Sequence, residues 1–184
     1  MMRPFLPLIA AVALAGSAAA VAGEDDSWLE KAWNPVAETY QKGDTEIYLP
    51  FRTYHMRSAY SRDKIDSYQE HPPGFGLGRG FYNENGNYQG VYAMGFQDSH
   101  FRPQWMTGYV WRAIWRPADD VKLGLGATAF LMARTDFGHY TPIPGVLPTA
   151  SISYKKLSFE STYVPGARGY GNVLFFWGKW EFGQ

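Results

Sequence analysis

Gly90-Val91-Tyr92-Ala93-Met94-Gly95-Phe96-Gln97-Asp98-Ser99 reads as one β-strand with two unlike faces, closing on a carboxylate beside a hydroxyl. Side chains alternate across a strand, so Tyr92, Met94 and Phe96 share one face and Val91, Ala93 and Gly95 the other. The bulky row is expected to meet lipid, and the small row to face an interior with room in it. Upstream, Tyr54-His55-Met56-Arg57-Ser58-Ala59-Tyr60 supplies a histidine that can join Asp98 and Ser99.

Seven more segments of similar length surround that strand. The eight are expected at 45–55, 74–82, 88–98, 105–116, 121–134, 146–154, 156–165 and 171–182, lengths that suit a spanning barrel. Asn85-Gly86 is a hairpin signal between the second and third. Pro117-Ala118-Asp119-Asp120 turns the fourth into the fifth, and Tyr154-Lys155-Lys156 joins the sixth to the seventh. The connections 56–73, 99–104, 135–145 and 166–170 are longer. Short and long thus alternate, as periplasmic turns and outer loops do in membrane barrels. An even strand count returns the C-terminus to the periplasmic side.

Apolar outward rows are expected at Tyr109, Trp111 and Trp115, at Leu123, Leu125, Ala127, Ala129 and Leu131, and at Leu174, Phe176, Trp180 and Phe182. Closure removes the unpaired strand edges that hydrocarbon does not tolerate. The fold class is therefore all-β: an eight-stranded antiparallel transmembrane β-barrel preceded by an N-terminal amphipathic α-helix. A soluble sandwich burying these rows against a second sheet is the alternative.

Composition fits that reading. The 184 residues suit one folded domain, and a formal net charge of zero gives no basic surface for nucleic acid. With no cysteine there is neither a disulfide framework nor thiolate chemistry. Aromatics reach 17%, while mean hydropathy is slightly negative, as in alternating barrel strands. Residues 1–22 read as a signal peptide: Arg3, an apolar core from Phe5 to Leu14, and a small-residue end with Ala20-x-Ala22. An uncleaved anchor is the alternative, for which that core is short. Residues 23–43 read as a periplasmic-side amphipathic helix. Its acids lie near the start, Trp28, Leu29 and Trp33 share a face, Pro35 is an early or kinking residue, and Gly43 is the stop. Residues 44–184 are the barrel domain. The chain ends Phe182-Gly183-Gln184, two residues past the aromatic on which such barrels typically finish.

Strand parity bears on chemistry. The first and third strands both run upward, so His55, Asp98 and Ser99 arrive at one outer rim. A histidine can take a proton from a hydroxyl, and a carboxylate can hold its tautomer. Adjacent strand residues point oppositely, so Asp98 and Ser99 meet His55 together only if the strand has ended or bulged. His71, His100 and His139 lack paired ligand spacing, so no metal is expected.

From about Trp28 to Phe182 the chain resembles the PagP family of outer-membrane lipid A palmitoyltransferases. The resemblance rests on Leu49-Pro50 leading to His55, on Tyr92-Ala93-Met94 ending in Asp98-Ser99, and on Trp115-Arg116-Pro117. It implies transfer of an acyl chain from the sn-1 position of a phospholipid to a hydroxyacyl chain on the proximal glucosamine of lipid A. The setting is the outer membrane of a Gram-negative bacterium, with the active site at the outer face. No cofactor or metal is implied, and the protein is expected to act as a monomer or homodimer. His55 is assigned as general base, Ser99 as nucleophile or oxyanion donor, and Asp98 as orienter or second polar donor. Pro50, Pro72, Pro148 and Pro165 match positions that relax the barrel to admit lipid, since proline lacks the N–H that a ladder needs. Lys64 matches a position tied to lipopolysaccharide recognition. Val110 stands where palmitate-selective members place a glycine at the floor of the acyl pocket, which implies a shorter chain. The competing classes are an outer-membrane deacylase or phospholipase and a non-enzymatic structural barrel. Gly95, Gly124 and Gly126, expected inside, favour a cavity.

Overall fold

The computed structural model describes residues 27–136 and 139–183, and the expected signal peptide lies outside them. Helix α1 (Ser27–Lys42) carries Pro35 within it and ends at the expected glycine, whose N–H returns to the Thr39 carbonyl at 2.9 Å. Glu38 and Lys42 pair across its last turn at 2.7 Å.

From Val36 onward the residues form one compact unit. Its strands are β1 (Asp44–His55), β2 (Gly74–Tyr82), β3 (Tyr88–Gln97), β4 (Pro103–Ala118), β5 (Val121–Arg134), β6 (Ile143–Tyr154), β7 (Leu157–Val164) and β8 (Val173–Glu181). A short helix, α2 (Arg62–Asp66), lies in the β1–β2 connection. Each strand pairs antiparallel with the next, and β1 pairs with β8, so the sheet is a closed barrel. The expected eight-stranded class holds, and the sandwich is excluded. No helix among the described residues is long and apolar enough to cross a membrane. The strands carry the apolar belt instead: Leu77, Trp115, Leu125, Ile152 and Phe159 all stand exposed on the outside.

The faces of β3 are the reverse of expectation. Tyr92 and Met94 are buried inside, Phe96 packs against them, and Val91, Ala93 and Gly95 face outward. The reason lies on the facing strand. β2 presents Gly76 and Gly78 to the interior, where an added Cβ would stand 2.6 Å from the Met94 Cβ and 2.7 Å from the Tyr48 ring. Those glycines make the room that the bulky row fills, since an eight-stranded barrel is only wide enough for its own side chains. Outside, the Trp105 ring of β4 covers Gly95, where a Cβ would come within 2.6 Å of it. Gly95 therefore opens no interior cavity, whereas Gly124 is buried on the inner face of β5.

The interior is layered. Toward the end where β1 begins, Lys179 sits 2.7 Å from Glu46, and Arg112 lies 2.5 Å from Glu160, all four nearly fully buried. Tyr48 and Tyr88 each donate to Glu46 at 2.7 Å, and the Trp177 indole donates to Glu160 at 3.0 Å. Buried charges of this kind persist only when paired and hydrogen-bonded. Toward the other end the interior turns apolar, with Met94, Met106 and a stacked Phe96–Phe175 pair at 4.7 Å.

Candidate active site

The connections 56–73, 98–102, 135–142 and 165–172 gather at the rim above the apolar layer. β1 ends there at His55, and β3 ends at Gln97, so Asp98 and Ser99 lie in a turn where strand alternation no longer separates them. The Ser99 Oγ stands 3.1 Å from the His55 Nε2, within hydrogen-bond reach across 44 positions of sequence. That separation is closed because two upward strands end at one height.

Asp98 does something different from holding the histidine. Its Oδ1 accepts the backbone N–H groups of His100 and Arg102 at 2.8 and 2.9 Å, and its Oδ2 accepts from Arg134 at 3.1 Å. The carboxylate thus fixes the turn that carries Ser99. The group on His55 is Glu70, whose Oε1 lies 3.2 Å from Nδ1 and also accepts the His55 backbone N–H at 3.2 Å. Arg57 reaches both Glu70 oxygens, at 3.0 and 2.7 Å, and Arg52 adds a contact at 3.1 Å. Burial disfavours the Glu70 charge, yet the bonds from Arg57 and His55 hold its carboxyl below the ordinary glutamate value. The Tyr68 ring lies 4.4 Å from the imidazole and the Tyr60 ring meets it edge-on at 5.2 Å. Neither Glu70 nor these tyrosines was singled out from sequence, because an irregular loop has no period from which to place a side chain.

The prolines lie at interruptions of the ladder. β1 pairs with β2 only from Asp44 to Tyr48, leaving 49–55 without a β2 partner. Pro50 sits at a bulge, where the register with β8 shifts, and Pro72 is fully buried in the loop that re-enters β2. On the other side, the β6–β7 ladder stops at Thr149↔Thr162, so 143–148 lacks a β7 partner. Pro148 is the first residue past that stop, and Pro165 follows the last residue of β7. Both seams open at the rim that holds His55.

Lys64 is exposed on α2, and its Nζ donates to the Gly169 carbonyl at 2.5 Å, tying two rim loops together. Val110 is 2% exposed and faces inward on β4 at the boundary between the layers. Beside it lies a cavity of about 10 Å³ bordered by Met94, Tyr92, Trp177 and the Arg112–Glu160 pair, room for roughly one water.

An apolar belt outside a closed barrel places the chain among outer-membrane β-barrels. Residues 35–179 match a family model described as antimicrobial peptide resistance and lipid A acylation protein PagP. A relative from Laribacter hongkongensis, named lipid A acyltransferase PagP, is 47% identical over 83% of this chain and 73% of its own. Another of that name from Methylobacillus flagellatus is 45% identical over 90% of each chain. A third, from Bordetella parapertussis, is 40% identical over 98% of this chain and all of its own. The chain belongs to the PagP family, and it is an acyltransferase.

Proposed function

We propose that this enzyme moves a fatty acyl chain from the sn-1 position of a phospholipid to the hydroxyacyl chain on the proximal glucosamine of lipid A, at the outer face of the outer membrane. The observation that carries the reading is the Ser99–His55 contact at 3.1 Å, set at the rim where two seams interrupt the barrel wall. In such an exchange the acceptor oxygen bonds to the ester carbonyl carbon, and the glycerol oxygen leaves as lysophospholipid. The proton lost by the acceptor hydroxyl passes through His55 to the leaving oxygen. Ser99 stands on the nitrogen that handles this proton, and Asp98 holds the turn presenting Ser99.

The seams beside Pro148 and Pro165, and beside Pro50 and Pro72, are the routes by which lipids enter from the membrane. Lys64 lies on the loop that meets lipopolysaccharide, where a cation suits lipid A phosphates. The donor chain inserts between Phe96, Met106 and Phe175, and Val110 forms the floor. That floor admits a chain shorter than palmitate, myristate being the nearest. Forcing longer chains in would cost about 1–3 kcal/mol by overpacking. The protein is exported with residues 1–22 as its signal peptide, 23–43 as a periplasmic-side helix and 44–184 as the catalytic barrel.

The test is purified protein in mixed bilayers with labelled phospholipid and lipid A, separating acylated lipid A from free fatty acid. Label on lipid A is the expected product. Free fatty acid alone would make the enzyme a hydrolase, and no turnover would leave a structural barrel.

A further inference from the structure

The loop between β1 and β2 reaches both halves of the Ser99–His55 pair. The Gln69 N–H donates to the Ser99 carbonyl at 2.9 Å, while the adjoining Glu70 carboxylate lies on the His55 ring. We propose that Glu70 is a positioning residue for His55: its carboxylate accepts the Nδ1 proton, leaving Nε2 as the bare nitrogen that faces Ser99.

The chemistry follows from the count of donors. A neutral imidazole carries one N–H, and an ionised carboxylate can only accept. With Glu70 at Nδ1, the proton sits there, and Nε2 is left as an acceptor, taking a hydrogen bond from the Ser99 hydroxyl at 3.1 Å. The opposite tautomer would set a bare Nδ1 against carboxylate oxygen and an N–H against a hydroxyl, losing the pull toward base catalysis. The ring has little freedom to turn, with the tilted Tyr68 ring against it at 4.4 Å and the Tyr60 ring edge-on at 5.2 Å. Glu70 is itself held by Arg57, Arg52 and the His55 backbone N–H, which keep it ionised and aimed. Its role extends the proposed reaction and rests on that reading for its kinetic consequence, but not for the tautomer.

The charged and titratable groups facing His55 are Glu70, Arg57 and His100, with the Tyr60 and Tyr68 phenols beside it and Arg52 beyond Glu70. Removing the Glu70 charge leaves the arginines unbalanced next to the ring, which disfavours imidazolium. The ascending limb of the pH–rate profile should therefore move to lower pH, by about one unit. Glu70→Gln keeps the size of the side chain while removing that charge. We expect kcat to fall about 10²- to 10⁴-fold, KM for both lipids to stay near wild type, and Glu70→Asp to recover part of the rate.

A role confined to loop structure would instead change KM or heat resistance and leave the pH limb unmoved, overturning the proposal. A second measurement needs no variant: ¹⁵N spectra of the His55 ring in the folded wild-type protein. The proton is expected on Nδ1, and a ring protonated on Nε2 at neutral pH would overturn the assignment even if Glu70→Gln failed to fold. Should wild type show no acyl transfer at all, the proposed reaction falls, while the ring spectrum still decides the role of Glu70.

Discussion

Val110→Gly tests the proposal that Val110 is the floor of an acyl pocket. Val110 lies opposite Gly90 on β3 and Thr128 on β5, with its side chain in the boundary layer of the interior. Removing the isopropyl group opens room for about two methylenes. At ~0.8 kcal/mol for each buried CH₂, that is about 1.6 kcal/mol, or roughly fifteenfold in relative kcat/KM. The gain should then stop, because the next inward group on β4 is Arg112, paired to Glu160 at 2.5 Å. A chain end pushed against that pair would strip its charges of polar contact. Wild type is expected to prefer myristoyl donors and Val110→Gly to prefer palmitoyl ones, with no further shift to stearoyl. The assay offers sn-1 donors of graded length and reads the mass of acylated lipid A. If wild type prefers palmitate and the variant shows no shift, Val110 is not the floor.

His55→Ala and Ser99→Ala should each lower transfer about a thousandfold or more while the barrel keeps its heat-resistant migration in detergent; near wild-type turnover in Ser99→Ala would end its assignment. Leu147→Cys with Val164→Cys places thiols at the two lips of the β6–β7 seam in a chain that has no cysteine. Oxidation should stop turnover of bilayer substrate and reduction restore it, and unchanged turnover when cross-linked would remove gating from that seam. Arg112→Met alone should cost up to about 3–5 kcal/mol in urea unfolding, because buried Glu160 loses its 2.5 Å partner and keeps only Lys179 at 3.6 Å and the Trp177 indole; adding Glu160→Gln should recover part of this, whereas strictly additive losses would show no coupling. The Glu70 carboxyl is held below 4.5, so its contribution to the rim loop is fully present above that pH and is lost as pH falls through the folded value. Amide exchange in 56–73 should accelerate below that window in wild type, and an identical acid profile in Glu70→Gln would refute the linkage.

The barrel was legible because period-2 alternation recurs in eight segments and short and long connections alternate through the seven links between them. What alternation does not tell is which of two apolar rows faces in. On β3 both rows are apolar, and the deciding information sits on the neighbouring strand, in the row Gly74-x-Gly76-x-Gly78-x-Gly80. Once that row is read as an inward stripe, the space beside it accommodates the bulky inward row of β3. The ionic layer had a comparable signal. Arg112 stands between Trp111 and Ala113, and Glu46, Glu160 and Lys179 each adjoin an outward apolar residue, Ile47, Phe159 and Trp180, so alternation turns each charge toward the barrel interior.

Legibility ends where the strands do. The meeting of His55 and Ser99 was legible because each lies at or just past the end of an upward strand, and strand ends share a height. Asp98 carried the same signal, yet a residue in a tight turn satisfies its nearest backbone donors first, and His100 and Arg102 offer two. The carboxylate that reaches the imidazole comes from a loop, 15 positions beyond His55. Nothing periodic marks it. It is recognisable only as an acid near two arginines, Arg52 and Arg57, which draw it into the rim and fix its direction. The barrel wall therefore sets where the Ser99–His55 pair stands, and the loop sets which nitrogen of the pair is free.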